Sequence, residues 1–152
     1  MIRQQWAYYK EEERLNYKRI NTVTEDSRVC YQAFDGEKQA AEFSWHLESG
    51  EGSGIVFWID EIRLKGEYED EQTMDLVLQF IQYKCWVSGC GAMHVRIYMK
   101  NLFYQDLYRK YGFYTIAQEE VSSRAGDRRI VLKYVLPDSR EAHFQSYIRR
   151  KR

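Results

Sequence analysis

A chain of 152 residues with 44% hydrophobic and 30% charged residues has the ordinary globular balance of one domain with a real core. Lys and Arg number 23, as do Asp and Glu, so no net positive field argues for nucleic acid. The longest apolar run, Ile55 to Ile59, is far short of the ~20 residues of a membrane-spanning helix, and Met1 to Lys10 lacks the apolar core of a signal peptide.

These exclusions lead us to expect a single cytoplasmic domain over 1–152. Three cysteines (Cys30, Cys85, Cys90) without framework spacing read as reduced thiols. Cys85 and Cys90 are too far apart for a Cys-x-x-Cys motif. His46, His94 and His143 are scattered, so no metal site is expected. Charge is unevenly placed: Glu67 to Glu71 is acidic, and Arg149 to Arg152 is a basic end that reads as a solvated tail. The 13 tyrosines suit a core and its rim, or a binding surface.

In chain order, Ile2 to Ile20 is ambiguous. Trp6, Tyr9, Leu15, Tyr17 and Ile20 fit one helix face, with a short strand as the alternative at its very start. Arg28 to Phe34 alternates as a strand, Asp35-Gly36 signals a hairpin, and Gln39 to Leu47 is the second arm. Gly50, Gly52 and Gly54 mark a turn. Ile55 to Leu64 reads as a buried strand, followed by a polar loop to Glu71.

From Gln72 the period becomes helical. Met74, Val77, Leu78, Ile81 and Cys85 form one stripe, with Asp70 or Thr73 as cap and Gly89 as stop. His94 to Met99 alternates as a strand. Asn101 caps a second helix that runs to Tyr111 and ends at Gly112. Phe113 to Ala117 and Arg129 to Leu136 read as strands around a loop at Ser122 to Asp127. Pro137 stops the last strand, and Ala142 to Ile148 fits a terminal helix. The order implies an α/β domain: a mixed sheet with crossover helices.

The segment Asn101-Leu-Phe-Tyr-Gln-Asp-Leu107-Tyr108-Arg-Lys-Tyr-Gly112-Phe113 resembles the Asn-x-x-Ala-x-x-Leu-Tyr-x-x-x-Gly-Phe signature of the GNAT (N-acetyltransferase-like) superfamily, with Tyr104 in place of the small residue. Phe57 to Leu64 resembles the family's central strand. The likeness spans roughly Arg28 to Leu136; 1–27 match poorly and 137–152 not at all.

The resemblance implies a central mixed β-sheet flanked by helices and transfer of an acetyl or acyl group from acyl-CoA to an amine on a small molecule or protein. It further implies Tyr108 as acid, Glu61 as base (Asp60 the alternate), and Leu64, Gln72, Thr73, Asn101 and Tyr104 as acetyl-CoA contacts. A homodimer is also an expectation of the resemblance. The family's phosphate loop, Gln/Arg-x-x-Gly-x-Gly/Ala, is replaced by Glu69-Asp70-Glu71-Gln72-Thr73-Met74. Acids and bulky residues stand where glycines would let the backbone approach a pyrophosphate. Two readings stay open: an N-acyltransferase, or a non-catalytic module of the same fold that binds a ligand or a protein partner. Each residue also has a plain structural reading: Asn101 an N-cap, Tyr108 a packed aromatic, Glu61 a solvated strand residue.

Overall fold

The structure, a computed structural model, describes residues 15–20, 27–52, 54–120 and 128–137. Seven strands form one sheet: β1 (Asn16–Ile20), β2 (Val29–Asp35), β3 (Lys38–Ser49), β4 (Ile55–Leu64), β5 (Ala92–Tyr98), β6 (Tyr114–Glu120) and β7 (Arg128–Val135). Helix α1 (Glu71–Val87) joins β4 to β5, and α2 (Leu102–Tyr111) joins β5 to β6. The strand order is β1-β2-β3-β4-β5-β7-β6. Among the described strands only the β4–β5 pairing is parallel, and α1 is the crossover it requires.

The alternation read from 28–47 becomes the β2–β3 hairpin, whose Asp35↔Lys38 pair closes a two-residue turn. Gly36 occupies it at φ 63°, a conformation open to glycine at no steric cost. The helical face suggested for Leu15, Tyr17 and Ile20 is corrected. Asn16–Ile20 is a strand antiparallel to β2, and Tyr17 turns toward α1, where its ring stacks on Phe80 at 4.0 Å and its hydroxyl donates to the Leu76 carbonyl. Cross-strand pairing and aromatic packing decide here over the local 3.6-residue spacing. Trp6, Tyr9 and the helix expected over 142–148 lie outside the described residues.

The stripe on α1 packs against the sheet: Met74, Val77, Leu78, Ile81 and Cys85 are fully buried. Each such aliphatic side chain contributes roughly 1.5–3 kcal/mol over leaving it exposed. Opposite them runs an aromatic row in which Tyr31 stacks on Phe43 and Trp45, and Trp45 on Phe57. Helix α2 lies beside α1 and donates the Tyr111 hydroxyl to Gln82 Oε1.

Both helices stop in the same way. In α2, Phe113 N–H bonds the Tyr108 carbonyl and Gly112 N–H the Arg109 carbonyl. In α1, Cys90 N–H bonds the Cys85 carbonyl and Gly89 N–H the Trp86 carbonyl. These are Schellman closures, with glycine just past the end at φ 127° and 82°. The motif presses together the residues four before and just after the glycine stop: Tyr108 on Phe113, and Cys85 beside Cys90.

Among the described residues, no helix is long and apolar enough to cross a membrane.

Candidate functional site

The parallel pairing of β4 and β5 lasts three residues: Phe57↔Met93, Trp58↔His94 and Ile59↔Val95. Beyond it the strands part. The cause lies in β4: opposite β3, Ser44 pairs with Glu61 and Trp45 with Ile59, so Asp60 is an extra, bulged residue. A bulge bends its strand and deepens its twist, and it falls where the parallel ladder ends. The parting leaves a cleft of about 340 Å³ between β4, β5 and α2.

The cleft gathers Asp60, Glu61, Arg63, Asn101, Tyr104 and Tyr108. Five of the sequence-proposed residues therefore meet there: Glu61 with its alternate Asp60, Asn101, Tyr104 and Tyr108. Leu64 reaches it through its backbone, because its N–H donates to the Tyr104 hydroxyl at 2.8 Å. Gln72 and Thr73 are not among the cleft's lining. They border a second hollow with Asp35, Lys38, Glu67, Tyr68 and Asp70, at the α1 N-terminus.

Tyr108 is 2% exposed. Burial pushes its phenol well above the ordinary tyrosine range, with Tyr104 and Glu61 adding in the same direction. It stays neutral at physiological pH, able to donate a hydrogen bond and unable to accept a proton as phenolate. Burial likewise raises Tyr104, with the bond from Leu64 N–H opposing. Glu61 is exposed, and its Oε1 takes both Nε and Nη2 of Arg63 at 3.0 and 2.9 Å. Its second oxygen is left as the available acceptor. Asn101 caps α2, its Oδ1 accepting from Tyr104 N–H at 3.4 Å.

Sequence reasoning missed the basic side of the cleft. Arg96 and Arg129 line it with Tyr98. Arg96 lies over the Trp58 ring at 3.7 Å and donates to Glu119 at 3.1 Å, while Arg129 approaches the same carboxylate at 3.8 Å. The signal was present in the alternation of β5, where Arg96 and Tyr98 oppose the buried Val95 and Ile97. Asp60, the alternate base, is held by His46 Nδ1 at 2.6 Å and Arg28 at 3.7 Å.

The α1 N-terminus, where the resemblance would seat an acetyl-CoA pyrophosphate, is acidic and already capped. Asp70 already caps the helix, accepting from Thr73 N–H at 2.8 Å. Glu67, Glu69 and Glu71 surround it, all exposed. Each carboxylate opposes a phosphate charge at about 6 Å by about 1 kcal/mol at an effective dielectric of about 60. Lys65 pairs with Glu42 at 3.6 Å and Lys38 with Glu67 at 3.1 Å, so neither offsets the acids freely. Nearer the chemistry, Tyr104 occupies the Leu64 N–H, a donor that the parted β4 edge would otherwise present to a ligand.

No family model matches the sequence, and no curated protein matches it significantly. Solved structures do match in shape. A Bacillus subtilis acetyltransferase in complex with CoA is similar at TM-score 0.63 and 15% identity, over 80% of this chain and 99% of that one. A GNAT family acetyltransferase from Elizabethkingia anophelis with acetyl-CoA bound gives TM-score 0.65 and 11% identity, over 82% and 100%. A chain of the NatC complex bound to Gag peptide and CoA gives 0.65 and 11%, over 82% and 99%. With its single parallel pair, its parted β4 and β5 and its crossover helix α1, this chain has the fold of the GNAT acetyltransferases.

Proposed function

We propose that this chain is a ligand-binding module on the acetyltransferase fold, with a cleft closed to acetyl-CoA and open to a small anionic ligand, and that it does not transfer acyl groups. The observation that carries this reading is the Tyr104 hydroxyl bonded to Leu64 N–H inside the cleft. At that position the family signature has a small side chain, and here a phenol crosses the gap. The acidic α1 N-terminus supports the same conclusion, because both anchor points of a cofactor are taken by the chain's own side chains. A volume of about 340 Å³ suits a small molecule. The guanidinium groups of Arg96 and Arg129 share Glu119 between them, which leaves positive charge for a carboxylate or phosphate.

A second reading is N-acyl transfer from an acyl-CoA to an amine of a small molecule or protein. It is favoured by Glu61 and Tyr108 lining the same cleft and by the CoA bound in the structural neighbours. There Glu61 would accept a proton from the amine and Tyr108 would supply one.

Calorimetric titration with acetyl-CoA at low salt separates the two. We expect no heat from the wild type at millimolar acetyl-CoA, and measurable binding once Tyr104→Ala clears the cleft. Micromolar binding by the wild type, with acetyl transfer to any of a panel of amines, would overturn the first reading and establish the second.

A further inference from the structure

The Schellman closure of α1 does more than end a helix. The two residues it presses together are both thiols, Cys85 four positions before Gly89 and Cys90 directly after it. Their backbones are joined by the Cys90 N–H to Cys85 carbonyl bond at 3.1 Å. The Cys85 thiol lies 3.7 Å from the Cys90 carbonyl and 3.4 Å from the Ala92 carbonyl, so its sulfur is turned toward the segment that carries Cys90. A disulfide needs a Cα separation of ~4.4–6.8 Å, and a Schellman closure brings the side chains at these two positions into contact. We propose that Cys85 and Cys90 form an oxidisable pair that a peroxide closes into a disulfide, stapling the last turn of α1 to the start of β5.

The pair is asymmetric in the way such chemistry requires. Cys85 is fully buried, while Cys90 is 7% exposed, its thiol 3.8 Å from the carbonyl of the exposed Ile55. Cys90 is therefore the sulfur a small oxidant reaches first. The neighbouring Cys85 thiol draws the Cys90 thiol below its ordinary value, to about 7, offset in part by burial. Burial and the same bond push Cys85 up. Thiolate character thus falls on the outer sulfur, the attacking one.

Electrons and atoms balance with hydrogen peroxide as oxidant. The Cys90 thiolate attacks one peroxide oxygen, the O–O bond breaks, and the released hydroxide takes up a proton to leave as water. The Cys85 sulfur then displaces hydroxide from the Cys90 sulfenic acid, forming the S–S bond and a second water. Two thiols are oxidised and one peroxide is reduced. Cys30, in β2, is apart from the pair and is replaced in the test so that it takes no part.

The test uses the full chain carrying Cys30→Ser, treated with a small excess of hydrogen peroxide, then denatured, alkylated and digested with trypsin. Cleavage after Lys84 and Arg96 places both cysteines in one peptide. The expected result is that this peptide escapes alkylation and loses the mass of two hydrogen atoms, reversibly with dithiothreitol. In the further variant Cys85→Ser, Cys90 instead gains oxygen. A peptide that remains fully alkylatable, or a Cys90 that gains oxygen while Cys85 is present, would overturn the proposal. The first measurement stands even if Cys85→Ser does not fold.

Discussion

At the scale of single residues, the cleft is governed by hydroxyl groups whose protons are held by burial or by a partner. Removing the Tyr104 hydroxyl leaves Leu64 N–H without its acceptor. Tyr104→Phe is therefore expected to lower stability by about 1 kcal/mol in urea unfolding, since the loss of one partner exposes the cost of the other. Tyr68 offers a pH-dependent case. Its hydroxyl donates to Asp35 Oδ2 at 2.8 Å, and that bond, with the charges of Asp35 and Glu67, raises it from an ordinary 10 to about 12. A group raised in the folded state stabilises below its unfolded value and loses that contribution as pH climbs through the folded one. Stability should thus fall between pH 10 and 12, and Tyr68→Phe should remove that part of the slope. Comparing unfolding midpoints of the two proteins across this range checks it. Neither hydroxyl contact was legible in the sequence. Tyr104 and Leu64 are 40 positions apart, Tyr68 and Asp35 are 33 apart, and only the folded sheet brings them together.

At the scale of elements, the helices were the most legible part, because their starts and stops are chemical. Asp70 and Asn101 cap as their side chains suggest, and Gly89 and Gly112 terminate. Asp70→Ala should cost about 1 kcal/mol and Asp70→Asn much less, by thermal unfolding, since asparagine keeps the capping oxygen. Gly112 is the stricter position. At φ 127°, an added Cβ would come within 3.0 Å of the Tyr134 ring. Gly112→Ala should destabilise by more than about 1 kcal/mol, measured by denaturant midpoint, because strain and a clash combine. The strand β1 was misread since five residues carry little periodicity and its partner β2 is what makes it a strand. The bulge at Asp60 left no mark in composition or alternation, although it explains why the cleft exists.

At the scale of the whole molecule, the mixed sheet and its crossover were readable from element order alone, while the strand sequence across the sheet was not. The last of the described strands, β7, inserts between β5 and β6. Hydrogen exchange should follow that order. Amides of β3, β4, β5 and β7 are expected to exchange slowest, and those of the edge strands β1 and β6 faster by orders of magnitude. Uniform protection across all seven strands would contradict this ranking. The short ladder between β4 and β5 has a mechanical meaning as well. Strands β1 to β4 form one plate and β5 to β7 another, each knit by long antiparallel ladders, and three parallel residue pairs join them. Under a pulling force the sheet should part at that seam first, so the weakest weld in the molecule runs along the floor of its cleft.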